Sequence, residues 1–143
     1  MGEPADALRT LAAQLRTEDT PISPHVVDPP SSAELGLLAA DGPRTAVAPG
    51  EYALVVEAVH EGYLLHYGEP RLLSGHDSDL ALLAGDYLYA LGLDRLAGLG
   101  DEVAVSILSD LISRCAQLHV EGDPTPIPAL WEAAAREIAG AAA

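Results

Sequence analysis

The chain has 143 residues, the size of one compact domain, with 49% apolar and 20% charged residues, a balance that excludes wholesale disorder. Ala (25) and Leu (23) supply a third of it and only 4% is aromatic, which disfavours a sheet-rich fold. Seven arginines, no lysine and 22 acids leave a net charge of −15, a field that repels phosphate backbones and anionic lipid heads. Nucleic acid is therefore not an expected partner.

Pro4 to Arg16 sets Ala5, Leu8, Leu11, Ala12 and Leu15 on one helical stripe, with Pro4 suited to the first turn. Residues 1–17 form this N-terminal helix unit. Residues 18–31 are polar and hold Pro21, Pro24, Pro29 and Pro30, so they read as a linker or an extended arm. The remainder, 32–143, is the helical bundle domain. Ser31-Ser32-Ala33-Glu34 has the form of a capping box opening a short helix that stops before Asp41-Gly42-Pro43.

Three longer helices are expected next. The first, near 50–67, carries Ala53, Val56, Val59, Tyr63 and Leu64 at helical spacing and ends at Gly68 and Pro70. The second, near 77–99, has Asp77 and Asp79 at its positive end and is apolar on nearly every side. It is accordingly expected to be the central, most buried helix. The third, near 101–121, lies between Gly100 and Gly122 with Val103, Ile107, Leu111 and Leu118 facing inward. A short Ala-rich helix from Ala129 to Ala139 carries the single Trp131. The expected fold is all-α, an antiparallel helical bundle with a Pro-rich N-terminal arm.

MGEPADALRT lacks the basic end and apolar run of a signal peptide. The apolar stretch Tyr87–Leu93 is far short of the roughly 20 residues a membrane span needs. No integral membrane segment and a cytoplasmic location are expected. Leu80, Leu82, Leu83, Leu88, Tyr89, Leu91, Leu93 and Leu96 cannot all face one intramolecular core, so a second chain is expected to cover part of helix 77–99 or 101–121. The alternative is that Ile22, Val26 and Val27 of the arm cover that surface and leave a monomer.

Glu57-Ala-Val-His60 puts a carboxylate and an imidazole on one helix face, half of the ligand set of a di-iron bundle. No second copy occurs, and a polar pair in or at the edge of the bundle is favoured. His60, His76, Asp77 and Asp86 could instead form a His/Asp metal centre of a helical phosphohydrolase. Asp77 is equally explained as a helix N-terminal acid. Cys115 has His119 one turn away, an arrangement able to lower a thiol pKa, yet a lone helical cysteine is more often a small buried hydrophobe.

Two stretches resemble the trans-isoprenyl diphosphate synthases. Glu57-Ala-Val-His60-Glu-Gly-Tyr-Leu-Leu-His66 is similar to that family's Glu-x-x-His helix, and Leu83-Ala84-Gly85-Asp86-Tyr87 to its Leu-Ala-Gly-Asp-Tyr core. The likeness runs from about residue 53 to 122. Where catalytic members place an Asp-Asp-x-x-Asp magnesium motif, this chain has Tyr67-Gly68-Glu69-Pro70-Arg71. The resemblance therefore implies a non-catalytic relative, closest to the small subunit of two-component heptaprenyl diphosphate synthases. It implies pairing with a catalytic prenyl synthase subunit, or with itself, in making an isoprenoid quinone side chain. It also implies no cofactor of its own, magnesium entering only through the catalytic partner. Glu57, His60, His66 and Asp86 are then a ligand-binding or structural polar cluster. A His/Asp phosphohydrolase and a generic helical interaction subunit are the alternatives.

Overall fold

The computed structural model describes residues 2–30 and 32–141. Among these residues six α-helices follow in chain order: α1 (Ala7–Thr17), α2 (Glu34–Ala40), α3 (Pro49–Tyr67), α4 (Ser78–Gly98), α5 (Glu102–Glu121) and α6 (Ile127–Ala139). Short 3-10 turns cover Pro4–Asp6 and Ser23–His25. Among the described residues the extended pairing is one isolated antiparallel bridge, Val26 to Leu73. The chain is all-α, as its Ala- and Leu-rich periodic segments require.

The organising helix is α3, not α4. Tyr52, Ala53, Leu54, Val55, Val56, Glu57, Ala58 and Val59 are buried in succession, a run covering the whole circumference of the helix. Two apolar clusters meet on it. One joins Val55, Val56 and Val59 to α5 and α6 through Leu108, Leu111, Trp131 and Ile138. The other joins Ala53, Leu54 and Ala58 to α1 and α4 through Leu8, Leu11, Leu15 and Leu88. Each fully buried Leu or Val contributes about 1.5–3 kcal/mol relative to exposure, so the bundle is held from the middle outward.

In α4 only Ala84, Gly85, Leu88, Gly92 and Leu96 are buried, one stripe along one face. That stripe is partly glycine because α3 lies against it. A Cβ on Gly62 would fall 2.8 Å from the Gly85 carbonyl oxygen, and one on Gly92 2.4 Å from Val59 Cγ2. Leu82 and Leu83 remain 55% and 57% exposed, which overturns the expectation of a helix buried on every side.

Several local readings also change. The inward stripe of α5 is Ala104, Leu108, Leu111, Cys115 and Leu118, so Val103 faces outward at 57% exposure and Ile107 is half-buried. Helix α2 begins at Glu34 with Ala33 as N-cap, so Glu34 is its first residue rather than the third residue of a capping box. Ser31, the expected cap, lies outside the described residues. The last helix starts two residues early, at Ile127. Its neighbour α5 ends as read, with Gly122 in the left-handed region at φ 78°, where glycine carries no Cβ penalty.

The proline-rich stretch is an arm packed on the body rather than a free linker. Ser23 Oγ donates to the Leu15 carbonyl at 2.6 Å, the Val27 N–H to Leu72 at 2.8 Å and the Ser74 N–H to His25 at 3.0 Å. Ile22 is buried in the α1–α4 cluster, while Val27 stays exposed. The arm covers the α3–α4 loop and leaves Leu82 and Leu83 bare.

Helix α5 is long enough to cross a membrane, and its most apolar 18-residue window has a mean hydropathy of 1.2. Its buried stripe packs against α6 and the α3 face through Leu108, Leu111, Cys115 and Leu118.

Candidate functional site

Glu57 and Glu61 are one helical turn apart on α3, both fully buried, and both turn toward Arg71 in the α3–α4 loop. Glu61 accepts from the Arg71 N–H at 2.6 Å, the Leu72 N–H at 2.8 Å and Arg71 Nε at 2.9 Å. Glu57 Oε1 lies 2.9 Å from Arg71 Nη1, and Oε2 accepts from the Gly36 N–H at 2.9 Å. Gly36 is the third residue of α2, whose own N-cap, Ala33, has no side chain able to accept a hydrogen bond. Glu57 thus satisfies a free amide of α2 from a neighbouring helix. Burial pushes its carboxyl above the usual range, opposed by Arg71 and by the Gly36 N–H. Two carboxylates share one guanidinium, and this cluster orders the loop and seats α2.

His60 shares a helix with Glu57 but faces elsewhere. Its ring centroid lies 4.8 Å from Trp131 and 6.3 Å from Tyr63, and among the described residues its buried Nδ1 has no hydrogen-bond partner. Burial, reinforced by the charge of Arg71, drives its pKa down to about 3, so the imidazole is neutral at any ordinary pH. Tyr63 OH and His119 Nε2 share a 2.8 Å hydrogen bond, and the Tyr67 ring stacks on His119 at 4.1 Å and 5°. Together these rings and Leu35, Leu38 and Leu64 line a cavity of about 550 Å³ between α2, α3, α5 and α6. Glu34 and Glu132, both exposed, complete its wall.

The remaining candidates lie apart from this cavity. His66 Nε2 sits 3.1 Å from the Leu82 carbonyl and 3.3 Å from Asp86 Oδ1, whose side chain is 74% exposed. The same ring occupies the space a Cβ on Gly85 would need, at 2.4 Å. The Gly85-Asp86 pair therefore serves α3–α4 packing and a surface contact. Asp77 caps α4, accepting from the Leu80 N–H at 2.8 Å, and His76 precedes it with a buried Nδ1 that has no partner among the described residues. Among the described residues, no three His, Cys, Asp or Glu side chains gather closely enough to hold a metal ion. Cys115 is buried, and burial pushes its thiol pKa up, offset in part by the Trp131 indole. His119, engaged with Tyr63, does not activate it.

Two groups escaped the sequence reading. Arg71 comes from an irregular loop, where periodicity says nothing about direction. Asp101 caps α5 at the Ala104 N–H (3.0 Å) and also accepts from Tyr52 OH at 2.6 Å and Arg44 Nη2 at 2.7 Å. Burial raises the Asp101 carboxyl, but these three hydrogen bonds and the Arg44 charge outweigh it and hold the pKa below the usual range. Arg44 in turn donates to the Ile138 and Ala139 carbonyls, closing the end of α6. An aspartate after Gly100 signalled only a helix start.

The chain matches no protein-family model, no curated protein and no solved structure.

Proposed function

We propose that the protein is a non-catalytic, prenyl-synthase-like helical subunit that associates with a catalytic polyprenyl diphosphate synthase in isoprenoid quinone side-chain synthesis. The observation that carries this reading is the division of α4 into two faces. One is locked to α3 through Gly62, Gly85 and Gly92, and the other holds Leu82 and Leu83 more than half exposed. Apolar side chains of that size bared on a helix already anchored behind are suited to a partner surface. The resemblance of residues 53–122 supplies the partner class, since both motif stretches lie on this α3–α4 pair.

The polar residues of α3 support the non-catalytic part. Glu57 and Glu61 are committed to Arg71, Leu72 and Gly36, contacts that organise the backbone and leave neither carboxylate free for magnesium. Purified protein is expected to give no turnover of isopentenyl and allylic diphosphates with magnesium. In a native lysate it is expected to retain a full-length prenyl synthase, identified by mass spectrometry. Turnover by the isolated chain, or repeated recovery without any prenyl synthase, overturns the reading.

A further inference from the structure

The cavity between α2, α3, α5 and α6 is unlike the rest of the surface in both its rings and its charges. Its wall holds His60, Tyr63, Tyr67, His119 and Trp131, five of the chain's eleven aromatic or imidazole side chains. None of the seven arginines lines it. The two acidic side chains on its wall are Glu34 and Glu132, and among the described residues neither has an ion-pair or hydrogen-bond partner. Glu57 and Glu61, by contrast, are fully engaged a turn away.

Trp131 is 2% exposed and its indole N–H is engaged by the Cys115 sulfur, which is outside the lining, so it brings its ring rather than a free donor to the cavity. Because burial keeps His60 neutral, that ring adds no positive charge to the wall. Aromatic faces attract cations through their quadrupoles, most strongly where water is excluded, and acidic rims add to that attraction. A volume of about 550 Å³ suits a small organic molecule.

We infer that this cavity is a binding site for an organic cation with an apolar body, an alkyl- or arylammonium, held against the Tyr63, Tyr67, His119 and Trp131 rings with Glu34 and Glu132 at the rim. The inference goes beyond the proposed association role and does not depend on it. An anionic ligand would meet two carboxylates and no counter-charge there, and the net charge of −15 favours entry of cations over anions. A neutral ligand would gain the apolar wall and nothing from the rim.

Trp131, the only tryptophan, reports on the site by its fluorescence. The full-length chain would be titrated with benzyltrimethylammonium, with its uncharged carbon isostere neopentylbenzene, and with benzoate. The expected result is a saturable change of Trp131 emission with the cation, binding of the isostere weaker by roughly tenfold, and no response to benzoate. The double variant Glu34→Gln and Glu132→Gln changes two exposed side chains and so keeps the fold. It is expected to weaken the cation several-fold and leave the isostere unchanged. Tyr67→Leu, at a 43% exposed ring, is expected to weaken the cation more than the isostere. Equal or tighter binding of neopentylbenzene overturns the inference in favour of a purely apolar pocket. Absence of any saturable response, or a double variant with undiminished cation affinity, overturns it outright.

Discussion

Helices α3 and α4 are nearly the same length, lie against each other and are both apolar all round, yet one is buried on all sides and the other on one. The difference lies in what surrounds them. Elements α1, α2, α5 and α6 all pack on α3, whereas α4 meets the body through a narrow stripe rich in glycine. The same composition that makes α3 a core makes α4 a core on one face and an available surface on the other. A helix without an amphipathic pattern therefore announces burial of some kind, by its own chain or by another, and does not say which.

The largest effect is expected from removing the charge pairing on α3. Replacing Glu61 by Leu strands the Arg71 and Leu72 amides and leaves Arg71 with Glu57 alone. A loss of about 3–5 kcal/mol is expected in urea unfolding, the usual size for breaking a buried pair from one side. A loss below about 1 kcal/mol would show that the loop is held by its backbone alone.

The two glycines toward the end of α4 test its two environments within one helix. Gly92→Ala puts a methyl 2.4 Å from Val59 Cγ2 and 3.2 Å from the Val55 carbonyl, and should cost about 1–3 kcal/mol as overpacking. Gly98→Ala meets nothing within 4 Å and should instead gain up to about 1 kcal/mol from helix propensity. Shifts of the same sign in thermal melts would erase the distinction between the faces.

Glu57 makes the stability of the α3 core depend on pH. Its folded-state pKa is raised, so the folded protein holds that proton more tightly than the unfolded chain does. Its contribution to stability is complete below the ordinary glutamate range, near 4.5, and is lost as pH rises through the elevated folded value. Glu57→Gln keeps an acceptor for the Gly36 N–H while removing the charge. Urea midpoints measured from pH 4 to 8 should fall less steeply with rising pH in the variant than in the parent. A steeper fall would mean that Arg71, not burial, governs Glu57.

The smallest expected effect on folding is on the bare face of α4. Leu82→Glu with Leu83→Glu should change the stability of the single chain by no more than about 0.5 kcal/mol, because neither residue is buried against it. Under the proposed role, the same pair should abolish retention of a prenyl synthase from native lysate. Undiminished retention would place the contact surface elsewhere.

Helix existence and order, and the ends of the three long helices, were legible in the amino-acid sequence. Proline and glycine stops and apolar periodicity located α3, α4 and α5 to within a residue, because capping and backbone sterics are local. The helix-terminal role of Asp77 could be read for the same reason. What periodicity could not supply was direction. It could not say that α3 rather than α4 would be the axis, that Leu108 rather than Val103 would point inward, or that Glu57 would turn from His60 toward Arg71. Nor could it say that Tyr67 and His119, 52 positions apart in the chain, would stack beside Trp131 to line one cavity. Those outcomes depend on which surfaces meet in space, and only the packed chain decides them.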